Sequence, residues 1–163
     1  MMAAAGMTSF DTLSDEMALK IIALAAPKRP AFCSKYDHDF LVDVLCKVSA
    51  RFRRLATDSS LWKDSVCISI PPDDFSMLDF VIRECLKDGT KHLRIWSLRR
   101  SLGPAHPFPK QYLTDLATMF PNLKRVTILG FWVERLEDIP APWNSNSNSN
   151  RFLACNGRFF ERD

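Results

Sequence analysis

Three short strand-like segments recur at one interval along the middle of the chain. Val66-Cys67-Ile68, Trp96-Ser97-Leu98 and Val126-Thr127-Ile128 stand thirty residues apart. Their alternation is that of half-buried strands, with inward apolar positions expected at 66/68, 96/98 and 126/128. Leu93 and Leu123 precede their strands at equal distance. Helix-like segments lie between, Phe75 to Leu86 and Gln111 to Phe120, in which Leu86 and Leu116 also match. Each unit reads as strand plus helix, a period of the kind that marks repeat architectures.

The first sixty residues read differently. Ser14 caps a helix whose first turn carries Asp15 and Glu16, where negative charge meets the positive end of the helix dipole, and Pro27 stops it. The helix is expected over about 15 to 26. Leu13, Met17, Ile21 and Leu24 follow a 3.6-residue stripe, while Leu19, Ile22 and Ala25 add apolar surface on a second side. Beyond the basic, Pro-containing stretch Lys28 to Tyr36, Asp37 or Asp39 caps a second helix with Phe40, Leu41, Val44, Leu45 and Val48. Ser49 starts a third, with Phe52 and Leu55 inward and Arg51, Arg53 and Arg54 outward, and Asp58 precedes Leu61 and Trp62. A unit this small buries only about 60% of the surface its unfolded chain exposes. Its surplus apolar surface calls for a partner.

These residues resemble a known family. Phe10-Asp11-Thr12-Leu13-Ser14-Asp15-Glu16-Met17-Ala18-Leu19-Lys20-Ile21-Ile22 and Val48-Ser49-Ala50-Arg51-Phe52-Arg53-Arg54-Leu55-Ala56-Thr57-Asp58-Ser59-Ser60-Leu61-Trp62-Lys63 resemble the opening and closing halves of an F-box. The resemblance implies docking on a Skp-family adaptor and, through it, on a cullin-RING ubiquitin-ligase scaffold. A chain of this kind selects target proteins and leaves the chemistry to others. Carried over by position, Leu13, Ser14, Glu16, Ile21, Ile22, Leu24, Leu45, Val48 and Trp62 are the adaptor-binding candidates. Two departures stand out: Ser14 replaces the family's usual proline, and roughly ten extra residues, at about 26–36, separate the first two helices. The insertion's Lys28, Arg29 and Lys35 read as a solvated loop.

The thirty-residue units, in turn, resemble leucine-rich repeats with lengthened units, which implies parallel strands on a concave face and helices on the other. The expected fold is a mainly α F-box helical unit followed by a short α/β leucine-rich-repeat-like solenoid. On that reading Cys67, Ser69, Ser97, Arg99, Thr127 and Leu129 point out from the strand face and are the candidate target-binding residues. The simpler alternative is a plain α/β packing unit. The chain then divides into a flexible N-terminus (1–9), the F-box (10–66), the repeat-like region (67–139) and a low-complexity or irregular tail (140–163). In the tail, Pro140-Ala141-Pro142-Trp143 breaks the pattern and Asn144 to Asn150 alternates Asn and Ser. No capping repeat is evident, so the expectations include a truncated isoform or scaffold that occupies the adaptor without delivering a target.

Several chemistries lack their signatures. The formal charge is only +3, from 22 basic and 19 acidic side chains, so no overall field draws the chain to nucleic acid or anionic membrane. The longest apolar run, Ile21 to Pro27, falls far short of the ~20 residues of a membrane span. The N-terminus does not read as a secretory signal, and five widely spaced cysteines without a CxxC pair fit a reducing cytoplasm or nucleus. Phosphate-cradling glycine loops, GxSxG and HExxH are missing, and no cofactor is expected. Cys33, His38 and Cys46 offer a ligand-like constellation whose spacing matches no common zinc pattern, and no metal is expected there. A small hydrolase on Cys46 and His38 is the remote catalytic alternative.

Overall fold

Ser14 lies in extended backbone and its Oγ accepts from the Met17 amide at 3.3 Å, so α1 (Asp15–Ala25) begins where the sequence places its cap. The computed structural model describes residues 10–26, 36–98, 106–133, 140 and 152–156. The N-terminal segment, most of the insertion and the Asn/Ser run lie outside these described residues. Asp37 caps α2 (38–48) through the Phe40 amide, 3.2 Å. The middle of this helix, Leu41–Leu45, is a π turn closed by a bond from the Cys46 amide to the Leu41 carbonyl. Its effect is to put Leu41, Val42 and Cys46 into the core while Val44 and Val48 remain outside. Ser49 caps α3 (Ala50–Ala56), and Asp58 caps a short 3-10 turn, Ser59–Leu61.

Beyond Trp62 the chain becomes α/β. Strands β1 (Asp64–Ile70), β2 (Thr90–Ser97), β4 (Arg125–Leu129) and β6 (Phe152–Asn156) form one parallel sheet in that order, and β3 (His106–Pro107) pairs with β5 (Phe131–Trp132) apart from it. Phe152–Asn156, read from sequence as irregular tail, thus supplies a strand. Parallel neighbours need a crossover of about a dozen residues. Here α4 (76–85, an α turn Ser76–Phe80 continued as a π turn, Val81–Cys85) and α5 (Lys110–Met119) provide it. Both pack on one face of the sheet. Val66, Ile68, Ile70, Leu93, Ile95, Val126 and Ile128 meet Leu78, Val81, Cys85, Leu113 and Leu116 there. Phe75 stacks on Tyr112 at 5.3 Å and leans on Phe108 and Phe131, closing that core.

The solenoid expectation is overturned by the register. Val66 pairs with Leu93 and Leu93 with Val126, so the true offsets are 27 and then 33 residues rather than thirty twice. Because side chains alternate with period two, the odd displacement from Trp96 to Leu93 puts Trp96 and Leu98 on the face opposite to the one expected. Both are exposed, and Leu93 and Ile95 are the core residues. The constant thirty-residue period on which the solenoid expectation rested is therefore absent from the paired strands. The helical unit also lies over β1, where a solenoid would leave its strand face clear. The fold is an α/β arrangement with a small parallel sheet, and among the described residues there is no leucine-rich-repeat solenoid.

Candidate functional site

On a helix at 100° per residue, Met17, Ile21 and Leu24 fall within about 60° of one another. This stripe faces solvent, with Leu24 85% exposed, while Ala18, Ile22 and Ala26 are buried. The sequence's more regular apolar stripe is therefore the outer one, and the weaker second side carries the core. Leu13 is half-buried at the start of the stripe. On α2, Val44 and Val48 repeat the pattern one turn apart, with Leu45 half-buried beside them. Ser14 and Glu16 are both exposed; Glu16 pairs with Lys20 at 2.8 Å, and that ammonium holds its carboxyl below the usual carboxylate range. Ile22 and Trp62 are different. Both are core residues, and Trp62 is 1% exposed, so neither offers surface to a partner.

The angle at which α1 presents its stripe is set by Arg51, which reads from sequence as an outward charge on a solvated helix. Its Nη1 donates to the Phe10 carbonyl at 3.0 Å, its Nη2 to the Leu13 carbonyl, and Nε and Nη2 to Asp15 Oδ1 at 3.2 Å. Arg54 holds the other carboxylate oxygen of Asp15 at 2.7 Å. Phe10 stacks on Phe52 at 4.8 Å, beneath the Arg51 guanidinium. Arg51→Ala is expected to lower stability by about 1–2 kcal/mol in urea denaturation, the charged hydrogen bonds being discounted for partial exposure. Arg51→Lys should recover little of it, since an ammonium cannot span two carbonyls and a carboxylate in one plane.

The candidate target-binding residues scatter. Cys67 and Ser69 do alternate away from the main core, but α2 covers them: the Cys67 amide donates to His38 Nδ1 at 3.4 Å and the Ser69 amide to Asp39 Oδ1 at 2.8 Å. Ser97 shares the parity of Leu93 and Ile95; its hydroxyl is buried without a hydrogen-bond partner, packed close to Gly130. Arg99 lies outside the described residues. Thr127 and Leu129 do lie on the outer face, half-buried. They are joined there by His92, Arg94 and Trp96, which the thirty-residue spacing missed. The Leu93-x-Ile95 alternation, weighed against Trp96-x-Leu98, is the signal that locates them.

The ligand-like constellation resolves into structure. His38 is fully buried, with Nε2 3.1 Å from the Leu61 carbonyl and Nδ1 accepting from Cys67. Cys46 is buried too, and burial pushes its thiol up, away from nucleophilic thiolate. His38 is spent on backbone rather than on Cys46. Among the described residues no group of three or more His, Cys, Asp or Glu is placed to hold a metal ion; Cys33 lies outside them. No helix among them is long and apolar enough to cross a membrane. No protein-family model matches the chain, and no curated protein matches it.

Proposed function

We propose that this chain is a non-catalytic substrate-recognition subunit of an SCF-type ubiquitin ligase. In this reading it docks on a Skp-family adaptor through its helical unit and leaves its α/β unit to hold a protein target, in the cytoplasm or nucleus. The observation that carries the reading is the solvent-facing stripe Met17, Ile21 and Leu24, with Val44 and Val48 on α2. It sits on helices whose sequence resembles an F-box. Apolar side chains grouped at helical spacing and left in water mark an interaction surface. The buried side of α1 is already satisfied by Ala18 and Ile22, so the stripe is not needed for folding. Asp15, tied to Arg51 and Arg54, fixes the helix that presents it.

The test is co-expression with a Skp-family adaptor and a paired variant, Met17→Glu with Leu24→Glu. Both sites are exposed, so the variant should fold, each change moving stability within about 0.5 kcal/mol. The parent is expected to form a one-to-one complex and the variant to bind about tenfold more weakly or not at all. A folded parent that fails to bind sinks the reading. A variant that binds like the parent moves the docking surface away from α1.

A further inference from the structure

We propose that the outer face of β2 and β4 binds an extended, acidic peptide segment that carries one large apolar side chain. Three rows of this face are set by the strand register: His92 beside Arg125, Arg94 beside Thr127, and Trp96 beside Leu129. Neither strand contains an acidic residue. Lys91 and Lys124, joined by the bond from the Lys124 amide to the Lys91 carbonyl at 2.8 Å, stand at the same end of the strands but share the parity of the inner face. Lys91 is already paired with Asp64 at 2.7 Å, whereas Arg94 has no ion-pair partner among the described residues. Partial desolvation, and then the charges of Arg125 and Lys91, depress the proton affinity of His92, as expected where positive charge gathers.

The apolar and basic ends of the face are separate. Trp96 is 37% exposed and has Leu129 across from it, with the exposed Leu98 just beyond. The basic rows lie toward the strand N-termini. Successive rows are about 6.6 Å apart, the repeat of every second residue in an extended chain. A partner lying along the strands would therefore set an apolar side chain against Trp96 and acidic ones two and four positions away. Trp and Arg are the residue types that most often dominate interface energy. The β1 edge of the same face is walled by His38 and Asp39 of α2, which keeps the partner off that side of β2. Single-stranded nucleic acid is a poorer fit, since its stacking platforms use successive aromatics and this face has Trp96 alone beside a leucine. The inference names the chemistry of the target in the ligase reading, and its binding step does not depend on the adaptor.

The probe is a fluorescein-labelled peptide with the core Leu-Ser-Glu-Ser-Glu, measured by fluorescence anisotropy against the full chain, with Leu-Ser-Lys-Ser-Lys as its counterpart. The acidic peptide is expected to bind saturably. Binding should weaken about tenfold or more with Arg94→Glu, with Trp96→Ala and with Thr127→Glu, each made separately, and on raising salt from about 0.05 to about 0.5 M. Arg83→Glu, the same charge change at an exposed position of α4, should bind like the parent. The proposal is overturned if the acidic peptide does not bind, if the lysine peptide binds as well, or if all three face variants that keep the parent's circular dichroism also keep its affinity. It is equally overturned if an oligothymidylate or phosphatidylserine vesicles bind in place of the peptide. No adaptor is present in this assay, so its failure and a failure of the docking test are told apart.

Discussion

Trp62→Ala is expected to lower the free energy of unfolding by about 3–5 kcal/mol, the range for removing a large buried aromatic. A domain of this size has about 5–15 kcal/mol in total. The indole stands where the helical unit meets the sheet. Its Nε1–H donates to the Ala56 carbonyl at 2.7 Å, its ring lies 4.6 Å from that of His38, and its own carbonyl accepts from Thr90 Oγ1 at 2.7 Å. Truncation leaves a cavity at that junction and strips the last turn of α3 of a partner for Ala56. The Thr90 bond, made to backbone, survives only if the junction does. Trp62→Phe keeps most of the volume and loses the indole donor, so a cost of about 1–2 kcal/mol is expected. Urea denaturation followed by circular dichroism separates the two. The result also bears on the resemblance, in which Trp62 is an adaptor-binding candidate: an exposed contact residue truncated to alanine gives a stable protein that does not bind. A core residue gives an unstable one, and the burial of Trp62 requires the second outcome.

What was legible in the sequence follows from the range over which each cause acts. Ser14 and Ser49 cap where the sequence puts them, and Asp37 is the one of its two candidates, Asp37 and Asp39, that caps α2, because a cap needs only an oxygen and an amide two or three residues on. The extent of α1 was legible for the same reason. Which face of α1 is buried was not. Met17, Ile21 and Leu24 make the cleaner stripe, yet Ala18, Ile22 and Ala26 are buried, since close packing against a neighbouring helix favours small side chains. The strand register failed for a related reason. A spacing of thirty matched Val66, Trp96 and Val126, but pairing is chosen by which residues fill the core, and Leu93 and Ile95 fill it. Arg51 reads as solvated from the sequence because its partners, the Phe10 and Leu13 carbonyls, are some forty residues away and carry no sequence signature. The candidate docking surface lay half in view: Leu24 and Val48 are exposed, while Ile22 and Trp62 are spent on the core.

His38→Leu is expected to cost about 2–4 kcal/mol, although leucine fills much of the same space and is more apolar. The imidazole touches three elements. Its Nε2 faces the Leu61 carbonyl of the 3-10 turn and must donate to it; its Nδ1 is then the acceptor for the Cys67 amide on β1, and the ring itself belongs to α2. The partners fix this tautomer, since a carbonyl needs a proton and an amide supplies one. Leucine would leave one buried carbonyl and one buried amide without these bonds, each worth about 1–3 kcal/mol when orphaned. The loss should show as a lower urea midpoint with an unchanged slope. A ligand-like histidine makes a competing demand, because a metal needs a ring lone pair. Nδ1 offers its lone pair to Cys67, and Nε2 has none to offer while it carries the proton bound to Leu61. A chelator should accordingly leave the parent's midpoint where it was, and added zinc should not raise it. A midpoint that fell with chelator and recovered with zinc would make His38 a ligand and remove it from the junction. The leucine variant would then lose its midpoint only in the presence of metal, whereas a backbone bridge loses it in either case.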